Sequence, residues 1–164
     1  MDKFTLRSLA DDDADWITRA CQDDEIKRWT LVPRPYTRDH AIEFIVNHGN
    51  EYAVWVIEAF ETSAPVGVIS IHNISETSGV ASIGYWIAPW FRRRGAACAS
   101  LELVVAYSQT IVGVTACHAN IAITNIASRK TVERAGFVEL KNLDQTCPDG
   151  DDLVAAIVYA RAIR

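Results

Sequence analysis

The 164-residue chain is sparing with the residues that hold metals or cross-links. Its four cysteines, Cys21, Cys98, Cys117 and Cys147, form no CxxC pair, and its four histidines show no HxxxH spacing. The sequence therefore offers no zinc set, and no metal is expected. No apolar run approaches the roughly 20 residues that span a bilayer. The first residues, MDKFTLRSLADDDAD, have neither an apolar h-region nor a cleavage pattern, so no leader is expected. Scattered cysteines in that setting read as reduced thiols, which points to the cytoplasm. A cationic surplus is missing too: 16 Lys and Arg face 21 Asp and Glu, for a formal net charge of -5. That balance argues against nucleic acid or a membrane surface as partner. Neither GxxxxGK(S/T) nor GxGxxG occurs, so Walker-type and dinucleotide-binding loops are excluded.

What is present is apolar. A composition 49% hydrophobic and 23% charged fits one packed domain over residues 1–164, with no repeat, low-complexity tract or linker dividing it. Phe4 to Leu9 alternates at period two and predicts a strand. The acidic cluster Asp11 to Asp15 precedes ADWITRACQ, where carboxylates complement a helix dipole. Arg38 to Asn47 predicts a helix capped by Thr37, with Ala41, Phe44 and Ile45 on one face. Tyr52–Phe60, Pro65–Ile74 and Ala81–Pro89, separated by turn-like ETSA and SETSG, predict an antiparallel meander. Ala96–Gln109 reads as a helix, Val114–Ile123 as a strand, and Ile126–Ala135 as a helix with Gly136 at its C′ position. The tail, DDLVAAIVYARAI, is apolar enough to return into the sheet or to join an interface. The order predicts a mixed α/β (α+β) sheet in one layered domain.

One stretch breaks the acidic pattern: FRRRGAACAS, Phe91 to Ser100. It lies between a strand ended by Pro89 and a helix beginning near Ala96. The amides of Arg93, Arg94, Gly95, Ala96 and Ala97 thus fall in a strand-to-helix turn, where they lack intrahelical partners. Such amides, with the positive end of the helix dipole, suit a phosphate. Gly95 lets backbone approach the anion, and Ala96 and Ala97 keep bulk away. Arg92, Arg93 and Arg94 would add a cationic rim.

These residues resemble the acetyl-coenzyme-A signature of GNAT N-acetyltransferases, RimJ/RimL-like branch: Arg or Gln, two residues, Gly, one residue, then Gly or Ala. The match falls on Arg92, Gly95 and Ala97. Upstream IGYWIAPWFRRRG and downstream TNIASRKTVERAGF, with Asn125, Ser128, Gly136 and Phe137, resemble the same branch. So do LRSLADDDADW, the RW…P.PY segment and PVGVISI. The resemblance implies a mostly antiparallel sheet, with Ile83–Ala88 splaying from the next strand at the proline. It implies acetyl-coenzyme A as cofactor, its pantetheine paired with backbone at Trp86, Ile87 and Ala88 and its pyrophosphate on the amides of Arg93 to Ala97. Ile87 N–H would polarise the thioester carbonyl, and an amine would attack directly.

Two family positions differ here. Val132 stands where many relatives carry a proton-donating tyrosine, so Ser128 becomes the candidate donor, with helix capping or coenzyme contact as the alternative. Asn125 would bind coenzyme or start its helix. Ser82 replaces the usual glutamate base two residues before Gly84-Tyr85; His118 and His72 are the candidate acceptors. Trp29, Tyr36, His72 and Ser82 are candidate lining of the amine pocket. The expected partner is a primary amine, on a peptide N-terminus or a small molecule, and a homodimer is compatible with the family. The competing function is a non-catalytic acyl-coenzyme-A sensor of the same fold.

Overall fold

Period-two alternation produces β1 (Phe4–Arg7), shorter than the sequence suggested. The computed structural model describes residues 3–164. After β1 the acidic cluster forms a 3-10 turn at Asp11–Asp13 and then α1 (Ala14–Ala20). Its carboxylates do more than complement a dipole. Asp13 is buried and accepts from both terminal nitrogens of Arg7 at 2.8 Å, from the Trp16 indole at 2.7 Å and from Ala10 N–H at 2.8 Å. This ties β1 to the helical layer. Next comes α2 (Asp24–Trp29), capped by the Asp23 carboxylate, which accepts from Ile26 N–H at 3.0 Å. Then follows α3 (Arg38–Asn47), capped by Thr37 as its sequence predicts.

The meander is β2 (Ala53–Ala59), β3 (Ala64–Ile74) and β4 (Val80–Ile87), all antiparallel neighbours. α4 (Ala96–Ser108), β5 (Ala116–Ala122) and α5 (Ile126–Arg134) follow, with Gly136 at φ 77° just beyond α5. A strand that the polar, proline-bearing segment KNLDQTCPD did not signal, β6 (Val138–Asp149), pairs with β7 (Asp152–Ala162) around the Gly150 turn. The apolar tail is thus a sheet interior and not an edge: the strand order is β1-β2-β3-β4-β5-β7-β6. Among the described residues only β4 and β5 run parallel.

Two cores flank this sheet. On one face α4 and α5 cover Ile57, Ile69, Ile71, Ile83 and Tyr159. Leu101 and Val104 of α4 are fully buried there, each contributing about 1.5–3 kcal/mol. On the other face α1, α2 and α3 pack through Ile17, Ile26, Ala41 and Ile45 against Ala88 and Trp86. No helix among the described residues is long and apolar enough to cross a membrane.

Candidate active site

The parallel pairing of β4 with β5 covers only Val80–Ser82 against Ala116–His118. The strands therefore part at Ser82, well before Pro89, and not at the proline as expected. From Ile83 onward β4 remains paired with β3 and presents its other edge to a gap. Ala88 N–H bonds Val66 O toward β3 at 2.8 Å. Strand alternation then directs Ile87 N–H to the opposite edge, into the gap. Trp86 and Ala88 are placed otherwise than expected. The Trp86 carbonyl lies against Gly67 of β3, and its indole packs on Trp16 at 5.7 Å in the second core. Ala88 has both backbone groups engaged, its carbonyl accepting from Phe91 N–H at 2.9 Å.

Beyond the gap lies the arginine turn. Arg93 (φ 63°) and Gly95 (φ 83°) adopt left-handed backbone, which lets the chain reverse into α4. The first intrahelical bond runs from Ala99 N–H to Gly95 O at 3.0 Å. The amides of Ala96, Ala97 and Cys98 precede it and have no acceptor among the described residues. A Cβ at Gly95 would meet no atom within 4 Å, so the space before the helix is open and the glycine serves its backbone conformation. Ala96 turns its methyl into the main core. The donors thus fit a diphosphate. The expected cationic rim is reduced: Arg92 forms a two-pronged ion pair with Asp23, and Arg94 lies over Phe91 at 4.7 Å. Arg93 and Arg94 are exposed.

The α4–α5 face holds a hydroxyl pair. Asn125 caps α5 by accepting from Ser128 N–H at 3.2 Å, which frees the Ser128 hydroxyl from capping. Ser128 Oγ lies 2.7 Å from the Tyr85 hydroxyl. Burial pushes the Tyr85 phenol up to about 12, while hydrogen bonding to Ser128 works against the shift. A phenol therefore reaches α5 from β4, although Val132, the family's usual tyrosine position, is buried core. Tyr85 had a sequence signal: it shares the period-two face of Ile83 and Ile87.

The opposite face carries Ser82, His72 and His118. His118 stands across from Ser82 where the strands are still paired, and burial lowers its pKa. His72 bonds Glu51 at 2.6 Å. Tyr36 is buried, and Trp29 is half-buried at the end of α2. Trp29 donates to Glu25 at 2.8 Å under Arg28, and Tyr36 is buried in the second core beside His40. The β6–β7 turn closes over this side, with Arg28 bonding Asp149 at 2.6 Å and Arg34 bonding Asp151 at 3.0 Å. No metal-binding cluster occurs among the described residues.

The chain is similar to known acetyltransferases. A Bacillus subtilis (strain 168) protein described as an uncharacterized N-acetyltransferase, YoaA, is 28% identical over 141 residues, covering 83% of this chain and 80% of its own. Mycobacterium smegmatis RimJ, solved with CoA-disulfide, superposes with a TM-score of 0.83 at 21% identity, over 97% of this chain and 81% of that one. Spermidine N-acetyltransferase from Vibrio cholerae, solved with CoA and spermine, gives 0.78 at 21% identity, over 99% and 97%. The likeness to both structures is one of overall fold. The model of the acetyltransferase (GNAT) domain matches residues 3–138, most of the chain, and the protein therefore belongs to the GNAT acetyltransferase family.

Proposed function

We propose that the protein transfers acetyl from acetyl-coenzyme A to the primary amine of a peptide or protein N-terminus by direct attack across the gap between β4 and β5. The observation that carries this reading is the combination of that open strand edge with an unpaired amide turn at the head of α4. Bound acetyl-coenzyme A supplies an activated acetyl thioester. The amides of Arg93 to Ala97 would hold the diphosphate, with the exposed Arg93 placed to approach its outer oxygens. Ile87 N–H would donate to the thioester carbonyl oxygen.

Ser128 would protonate the departing sulfur. Because Tyr85 stays protonated to about 12, its hydroxyl can donate to Ser128 Oγ and leave the serine proton for the thiolate. Asn125 keeps this turn of α5 in place. The donor pair lies on one sheet face and the imidazoles on the other, which suits an amine arriving opposite the leaving thiol. The reading favours a peptide amine over a small-molecule amine because Tyr36 is taken up in packing and Trp29 in a surface hydrogen bond to Glu25, which leaves a closed aromatic pocket without its two candidate walls. Its ordinary pKa of about 7.7–8.0 leaves a useful neutral fraction near pH 7. The same reading places the enzyme in the cytoplasm, in keeping with four unpaired thiols, with a homodimer as the assembly to check by light scattering. Thiol release from acetyl-coenzyme A across peptides and small amines tests the reading. Turnover is expected with peptide amines; tight coenzyme binding without any turnover would turn the assignment to an acyl-coenzyme-A sensor.

A further inference from the structure

Ser82 stands where a carboxylate base would be expected, so the attacking amine needs another proton acceptor. One strand away, β3 leaves regular register: Ile71 pairs with Ile83 and Asn73 with Ser82, which makes His72 the extra residue of a bulge. Bulges re-aim side chains. Here the ring is turned against β4, its Nε2 edge resting on Gly84. Its Nδ1 lies 2.6 Å from Glu51 Oε2 and 3.3 Å from Ser70 Oγ. A carboxylate beside Nδ1 accepts that N–H and so fixes the tautomer in which Nε2 keeps its lone pair. Nearly half of the side chain, 47%, is exposed, and its Nε2 edge lies at Gly84, two residues past the last pairing of β4 with β5. The His118 ring, by contrast, has no hydrogen-bond partner among the described residues and sits where β4 and β5 are still joined.

We infer that His72 accepts the proton of the attacking amine and that Glu51 is its positioning residue. The inference rests on the acetyltransferase reading above. A neutral amine nitrogen forms the C–N bond to the acetyl carbon as the C–S bond breaks. The surplus proton on nitrogen passes to His72 Nε2, and the sulfur takes the Ser128 proton. The imidazolium then releases its proton to water, and Ser128 regains one. Around the ring, Glu51 precedes β2, Ser70 is on β3, Ser82 on β4 and His118 on β5, while Tyr52 donates its N–H to the His72 carbonyl at 3.1 Å. Glu51 is the one charged group hydrogen-bonded to the ring among the described residues.

Two measurements test this. Nitrogen-15 spectra of the coenzyme-free protein should show His72 protonated at Nδ1 when neutral, and a mixture of tautomers in Glu51→Gln. In thiol-release kinetics, His72→Ala should lower kcat by about 10²–10⁴-fold. It should also remove the acidic limb of the pH profile and recover activity with added imidazole, while calorimetry gives unchanged acetyl-coenzyme-A affinity. Glu51→Gln, on a loop, should lower kcat by about tenfold or more and displace the same limb; this variant carries the test if His72→Ala misfolds. The inference is overturned by an Nε2–H tautomer in the free protein, or by a wild-type rate and profile in His72→Ala. Loss of the limb in His118→Gln but not in His72→Ala would likewise overturn it. A wild type that binds no acetyl-coenzyme A or acetylates no amine is a different result, which removes the wider reading and this one with it.

Discussion

The imidazole of His72 occupies the space that a side chain at position 84 would fill: a Cβ on Gly84 would lie 2.1 Å from His72 Nε2 and 2.6 Å from Cε1. The glycine of β4 and the bulge of β3 are thus parts of one arrangement, and a change at either should be felt at the other.

Gly84→Ala separates position from stability. The clashing atoms are the far end of a half-exposed ring, which can swing outward, so the melting temperature should move by no more than about 2–4 °C. The imidazole would be displaced by an ångström or more, and kcat should fall by about 10–100-fold. Unchanged turnover, with the ring shifted in the variant's structure, would count against a role for His72.

Ser128→Ala should slow acetyl transfer by about 10²-fold or more at unchanged acetyl-coenzyme-A affinity, because it removes the hydroxyl nearest the α5 turn without removing the Asn125 cap. Tyr85→Phe keeps the ring and its packing but ends the 2.7 Å hydroxyl contact, so a smaller loss in kcat is expected. Equal activity of Ser128→Ala and wild type would remove Ser128 as proton donor.

Arg92 belongs to the signature turn, yet its guanidinium is held by Asp23, the cap of α2. Burial alone would raise the Asp23 carboxyl, but hydrogen bonds from Arg92 and Ile26 N–H hold it below the usual carboxylate range. A double-mutant cycle with Arg92→Ala and Asp23→Ala should give a coupling of about 1 kcal/mol in thermal unfolding. Arg93→Ala, exposed and unpaired with any carboxylate among the described residues, should leave stability within about 0.5 kcal/mol and raise the acetyl-coenzyme-A KM instead. Coenzyme affinity that follows Arg92 alone would reverse this division of roles.

Asp13 gives the fold an acid-sensitive joint. Its burial favours protonation, but hydrogen bonds from Arg7, Trp16 and Ala10 win and keep its folded pKa below the unfolded value of about 3.9. Its contribution is therefore complete above that unfolded value and is lost as pH falls through the folded one. Asp13→Asn should cost about 1–3 kcal/mol near neutral pH and flatten the loss of stability below about pH 4. Melting curves across pH check both; parallel curves for the two proteins would refute the assignment.

Much of the architecture was legible because it rests on local chemistry. Thr37 before RDHAIEF, Gly136 after IASRKTVER and the alternating meander each specify their element within a few residues. β6 was not legible, since KNLDQTCPD has neither alternation nor β-branched density; it is a strand because β7 offers it a ladder. Arg92 looked like a phosphate ligand because its partner Asp23 is distant in sequence. Trp29 and Tyr36 looked like pocket walls for the same reason: Tyr36 is fixed by contacts with α1 and α3 that no local pattern announces.

The sequence alone determined the family and an amide turn that suits a phosphate, since a glycine at positive φ before small residues is a short-range requirement. Tertiary structure decided where the sheet opens, at Ser82 instead of Pro89, because strand pairing depends on neighbours far along the chain. It also decided which protonic groups meet. Tyr85 joins Ser128 across two elements, and a one-residue bulge turns His72 onto Gly84 beside Glu51, contacts fixed by register and not by spacing.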